Sequence, residues 1–161
     1  MRRGKVGIPG DASDLHGKSR LTGLWPPGLC CMKILAIDDD LMILELLKEA
    51  MVAHGEFEVE TASSGKMAIE IIRESGAVYD CFLLDIQMPE TDGIEVCKAI
   101  RATPGCERTP VIMATAMSQT AYMERAYAAG ATDYLIKPFD FIELNTRLNA
   151  AVRTVQSDSP T

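Results

Sequence analysis

The order of apolar runs and helical patterns between Lys33 and Arg153 predicts an α/β fold: a doubly wound, five-stranded parallel sheet covered on both faces. Two observations carry this prediction. Several apolar runs are continuous, as in strands buried on both sides. Each run is followed by a stretch whose apolar residues recur at i, i+3 or i+4 and i+7, the period of a helix with one buried face.

"KILAI" (33–37) is the first buried strand. A helix over about 41–54 follows it, with Leu44, Leu47 and Met51 on one side and Asp40 as its N-cap. "FEVETA" (57–62) alternates with period two and forms the second strand. Ser64 caps the second helix, where Ala68, Ile71 and Ile72 share a face. "DCFLLD" (80–85) is the third strand, and a loop through Met88-Pro89 leads to a helix opened by Asp92-Gly93 and running to about 102. "PVIMAT" (110–115) is the fourth strand, followed by a helix from Ser118 to Ala129 that Gly130 stops. "DYLIK" (133–137) is the last strand, and Phe141, Leu144, Leu148 and Ala151 align on a final helix over 139–153. Met42, Met51, Met67, Met113 and Met123 fall at core spacing, Cys81 falls in an apolar run, and His54 and His16 are expected to face solvent.

Residues 1–31 show neither period and are rich in Gly and Pro, so they are expected to form a disordered or loosely docked N-terminal extension. Met32 is the expected natural start, with 32–155 as the folded domain and 156–161 as a flexible tail. Apolar residues make up 47% of the 161, enough for one core. The net charge of −7 is divided unevenly: 1–31 carry five Lys/Arg against two Asp/Glu, and 32–161 carry eleven against twenty-one. So acidic a body suits metal ions or basic protein surfaces and argues against direct binding of nucleic acid. Five cysteines without a CxxC spacing indicate neither a disulfide framework nor a zinc site. No apolar stretch reaches membrane-spanning length, and a cytoplasmic location is expected.

Ligands of open parallel sheets bind at the carboxyl ends of the strands. The first strand here ends in Asp38-Asp39, the third in Asp85, the fourth in Thr115 and the fifth in Lys137. Adjacent carboxylates repel unless a cation sits among them, and Mg²⁺ takes oxygen ligands of this kind. The set matches phosphoryl transfer: a metal to neutralise charge, Lys137 and Thr115 to contact phosphoryl oxygens, and Asp85 as nucleophile.

The motifs "AIDDD" (36–40), "LLDIQMPETDG" (83–93), "MATA" (113–116) and "DYLIKPF" (133–139), in this order, resemble the receiver domain of bacterial two-component response regulators. The resemblance covers Lys33 to Val152 and implies a flavodoxin-like (β-α)5 sheet of strand order 2-1-3-4-5. It implies Asp85 as phosphoacceptor and Mg²⁺ (or Mn²⁺) held by Asp39, Asp85 and the backbone carbonyl of Gln87, with Asp38 assisting. Thr115, Lys137 and Ala116 would contact the phosphoryl group, Tyr134 would be the switch aromatic that rotates inward with Thr115, and the Lys137-Pro138 bond would be cis. Gln87 and Met117 would sit where the family tunes phosphoryl lifetime.

A histidine kinase or histidine phosphotransfer protein is the implied phosphodonor. Helix 118–129, strand 133–137 and helix 139–153 would form the face that docks a downstream protein or a second copy, and Asp133 and Arg147 would pair across it. Only "QSDSPT" follows Val155, so a stand-alone regulator or a receiver fragment of a longer protein is expected. The spacing Asp38-x-Asp40 after an apolar strand also matches the nucleophile motif of haloacid-dehalogenase-like phosphatases. Against that reading, no acidic pair follows Lys137 and the length leaves no room for a cap domain. A degenerate receiver used only for docking is a third reading, and the complete set of site residues argues against it.

Overall fold

The structure is a computed structural model and describes residues 31–75 and 78–157. The extension to Cys30, with His16, and the end of the tail, 158–161, lie outside the described residues. Five strands alternate with five helices: β1 (Met32–Ile37), α1 (Leu41–Ala53), β2 (Phe57–Ala62), α2 (Gly65–Ser75), β3 (Cys81–Leu84), α3 (Gly93–Ala102), β4 (Val111–Thr115), α4 (Thr120–Ala128), β5 (Asp133–Ile136) and α5 (Phe141–Ser157). All strand pairs are parallel, and the order is β2-β1-β3-β4-β5.

Successive side chains of a strand point to opposite faces, and two cores result. Leu35, Ile37, Phe82, Leu84 and Met113 pack with Ile72, Val96, Ile100 and Ala126 of α2, α3 and α4. Ile34, Ala36, Leu83, Ile112 and Ala114 pack with Leu44, Met51, Leu144 and Leu148 of α1 and α5. Cys81, Met51 and Met113 are fully buried, and Met123 packs partly buried against the first core. Met42 and Met67, expected in the core, are instead 72% and 41% exposed. Each sits beside the buried stripe of its helix, where a period of 3.6 separates neighbours poorly. His54 is exposed, as expected, and stacks on Phe141 with ring centroids 4.1 Å apart.

Side-chain caps set most helix starts. Asp40 Oδ1 accepts from Met42 N–H (3.0 Å), Ser64 Oγ from Met67 N–H (3.1 Å) and Asp92 Oδ1 from Glu95 N–H (2.9 Å). The last helix begins at Phe141 rather than 139, because Asp140 Oδ1 accepts from Glu143 N–H at 2.7 Å. It runs on to Ser157, past the expected end at 153, with no residue to break it before the segment leading to Pro160. The fourth helix starts at Thr120 rather than Ser118. Met117 explains the delay: its N–H and its carbonyl are both held by groups on the sheet, so the chain cannot turn into helix there. Gly130, at φ +105°, ends that helix as expected.

Arg101 ties three segments together at the amino end of the sheet. Its guanidinium donates to the carbonyls of Gly130 (3.0 and 2.7 Å), Cys106 (3.2 Å) and Thr109 (2.7 Å). Truncation would leave these acceptors without their charged donor. Arg101→Ala is expected to lower unfolding free energy by about 2–3 kcal/mol in urea denaturation, with Arg101→Lys recovering only part of the loss.

Candidate functional site

The chain reverses its winding direction between β1 and β3, and the candidate site lies at the carboxyl end of these two strands. Their register pairs Ile37 with Leu84, and the next residue on each strand is an aspartate. Asp85 N–H donates to the Ile37 carbonyl at 2.9 Å, which fixes Asp85 beside Asp38. Oxygens of Asp38, Asp39 and Asp85 all lie within 4.8 Å of one another. Asp38 and Asp85 are buried and Asp39 is exposed. Asp40 turns away to cap α1, which separates it from the cluster.

Lys137 enters from the end of β5. Its N–H donates to the Thr115 carbonyl at 2.9 Å, which anchors the backbone. Its Nζ lies 2.5 Å from Asp38 Oδ2 and 3.7 Å from Asp85 Oδ2. The other oxygen of Asp38 accepts from Asp40 N–H at 2.9 Å. The Lys137-Pro138 bond is cis.

Thr115 is fully buried; its hydroxyl accepts from Met117 N–H at 3.3 Å and favours the ionised form of the Asp85 carboxyl. Ala116 follows at an exposed position. The Gln87 side chain is exposed, while its backbone N–H favours the ionised form of the Asp85 carboxyl. Tyr134 is only 5% exposed, and its hydroxyl donates to the Met117 carbonyl at 2.5 Å. The inward position expected of this ring after switching is thus the one it occupies here. Asp133 and Arg147 pair as expected, at 2.9 and 3.1 Å.

Burial raises the Asp85 carboxyl above the ordinary carboxylate range; Lys137, Thr115 and the Gln87 N–H oppose that effect, and Asp38 adds to it. Burial likewise raises the Tyr134 phenol, which keeps it a hydrogen-bond donor. With three ionised carboxylates and one ammonium, the cluster carries two net negative charges. An all-oxygen set with that deficit suits one hard divalent cation such as Mg²⁺.

Gly93 belongs to the site although the sequence marks it only as the start of a helix. Its α-carbon packs on the backbone of Asp85 and Ile86, so closely that a side chain would collide with them. The Asp-Gly pair signals a turn in the sequence, but the surface it packs on cannot be read locally.

A parallel α/β sheet with three carboxylates and a lysine at its switch point defines a phosphoryl-transfer or signalling class of protein. The chain belongs to the response regulator receiver domain family, whose model matches residues 34–149. It is 38% identical over 125 residues to the transcriptional regulatory protein SrrA of Staphylococcus aureus, covering 78% of this chain and 49% of SrrA. The chain spans about half the length of the curated relatives it matches. Among solved structures, it resembles the chemotaxis protein CheY4 of Vibrio cholerae, with TM-score 0.70 and 30% identity over 76% of this chain and 99% of that one. The receiver domain of the sensor histidine kinase PA1611 from Pseudomonas aeruginosa, described with magnesium coordinated in its active-site cleft, matches with TM-score 0.69 and 28% identity over 77% and 99%. No helix among the described residues is long and apolar enough to cross a membrane.

The raised Asp85 carboxyl makes stability depend on pH. A carboxyl that holds its proton more tightly when folded stabilises the fold below its unfolded pKa and loses that contribution as pH rises through the folded value. At neutral pH without metal, ionised Asp85 therefore costs stability. Asp85→Asn is expected to raise Tm by several degrees at pH 7, and the gain should shrink as pH falls into the carboxylate range. Differential scanning calorimetry across pH in chelator checks both the sign and the trend.

Proposed function

We propose that the chain is a phosphoacceptor in a two-component phosphorelay, taking a phosphoryl group on Asp85 with Mg²⁺ (or Mn²⁺) bound. The observation that carries this reading is the convergence of Asp38, Asp39, Asp85 and Lys137 from three strand ends. Asp39, Asp85 and the Gln87 carbonyl would hold the ion, and Asp38 would support it directly or through water. Such an ion supplies charge neutralisation on the phosphoryl oxygens.

The protein's own groups do the rest. One Asp85 oxygen attacks phosphorus, the bond to the donor breaks, and an acyl phosphate remains. Lys137 Nζ, 3.7 Å from Asp85, neutralises a phosphoryl oxygen, and the Thr115 hydroxyl and the Ala116 backbone complete the contacts. The phosphodonor is a histidine kinase or a histidine phosphotransfer protein. Leu41 and Met42 at the start of α1 and Ile142 at the start of α5 offer it exposed apolar contacts on the face of the sheet that those helices share.

Phosphorylation replaces the single charge of the Asp85 carboxylate with the nearly two of a phosphoryl group and adds acceptor oxygens. Thr115 links Asp85 to Met117, and Met117 links to Tyr134, so a new charge at one end is felt at the other. The switch exchanges an arrangement in which the Thr115 hydroxyl and the Tyr134 ring stand apart with the inward one described here, which phosphorylation favours, and the α4-β5-α5 face changes shape. That face docks a downstream protein, a further domain of a longer chain, or a second copy. The case against direct nucleic-acid contact concerns this acidic domain only, since SrrA, named a transcriptional regulator, is about twice as long. The phosphatase reading loses support from Asp40, whose carboxylate caps α1 instead of facing Asp38.

Incubation with Mg²⁺ and a small acyl-phosphate donor tests the assignment by intact-mass spectrometry. One phosphoryl group per chain is expected on the wild type, and none on Asp85→Asn or in chelator. Lys137→Ala should slow uptake by about 10²-fold. Undiminished labelling of Asp85→Asn would refute the role given to that residue.

A further inference from the structure

The backbone φ of Gly93 is not in the left-handed region, so conformation is not what demands glycine there. Close approach is. A Cβ at this position would stand 2.0 Å from the Asp85 carbonyl oxygen and 2.8 Å from Ile86 Cα. This contact brings the first N–H of α3 within 2.8 Å of the Ile86 carbonyl, and Met88 N–H donates to the same oxygen at 3.2 Å.

That oxygen belongs to the peptide unit joining Ile86 to Gln87. In a trans peptide the C=O and N–H point in opposite directions. Two donors therefore grip one end of the plane, and the Gln87 N–H at its other end favours the ionised Asp85 carboxyl. Rotation of this plane would withdraw that N–H, and because Met88 N–H shares the next plane with the Gln87 carbonyl, losing its bond to the Ile86 oxygen would re-aim that carbonyl too.

We infer that Gly93 is a positioning residue for the metal and acceptor site: its missing side chain lets α3 clamp the Ile86–Gln87 peptide in the orientation that serves Asp85. The inference rests on the proposed role of Asp85 and Gln87 in holding Mg²⁺. A methyl group at Gly93 pushes α3 off the loop and loosens the clamp, so the site weakens by more than the fold does.

Titration calorimetry with Mg²⁺ and thermal melts in chelator, on the full chain, separate these effects. Gly93→Ala is expected to weaken Mg²⁺ binding at least tenfold. Gly130→Ala is the control: its φ of +105° and an Arg101 Nε at 2.9 Å from an added Cβ make it destabilising at the far end of the sheet. It should lower Tm and leave Mg²⁺ affinity unchanged. Folded Gly93→Ala with wild-type affinity would overturn the inference. Should Gly93→Ala not fold, Asp92→Ala decides: it removes the Asp92–Glu95 cap at 2.9 Å and frees the same helix start without adding atoms. A roughly threefold loss of affinity is expected, and none would overturn the inference. A wild type that binds no Mg²⁺ refutes the receiver-site reading itself, and the inference with it.

Discussion

The ammonium of Lys137, 2.5 Å from Asp38 and 3.7 Å from Asp85, is the interaction on which the site depends. Two buried carboxylates side by side are unfavourable without a nearby cation. The fold supplies one through backbone geometry: β5 pairs with β4, Lys137 N–H binds the Thr115 carbonyl, and the side chain reaches across β4 and β3 to the end of β1. Only a parallel sheet places the carboxyl ends of all these strands along one edge. Sheet topology and site electrostatics are thus a single constraint. A lysine can hold the acids together without saturating them, because one ammonium leaves two negative charges for a divalent ion.

The same hydrogen bonds that complete the site extend beyond it. The Thr115 hydroxyl, which favours ionised Asp85, accepts from Met117 N–H, and Tyr134 holds the Met117 carbonyl. These bonds also postpone the start of α4 to Thr120. In the proposed switch, a change of charge at Asp85 would act on the segment that determines where α4 begins. Asp133 and Arg147 lie on the same face, but their pair is partly exposed and contributes under about 1 kcal/mol, so it orients the face more than it stabilises it.

Most of this was legible in the sequence because strand ends are local features. Asp38, Asp39, Asp85, Thr115 and Lys137 each follow an apolar run, and parallel topology alone brings them together. Non-local features were harder to read. The Asp-Gly pair at 92–93 signals a turn, but the backbone Gly93 must clear is that of Asp85, on another element. Met42 and Met67 fit a helical period yet face outward, since the period does not fix the width of the buried stripe. The late start of α4 depends on a tyrosine seventeen positions away from Met117. The length of α5, by contrast, was open to reading: no breaker precedes Pro160.

If Lys137 is the resident counter-ion of the acid cluster, it also competes with any metal that enters. The Mg²⁺ dissociation constant of Lys137→Met against wild type, measured by titration calorimetry at fixed ionic strength, tests this directly. Removing the ammonium frees Asp38 and Asp85, and binding should tighten by roughly tenfold, equivalent to ~1.4 kcal/mol. Unchanged or weaker binding would mean that Lys137 does not set the charge of this site.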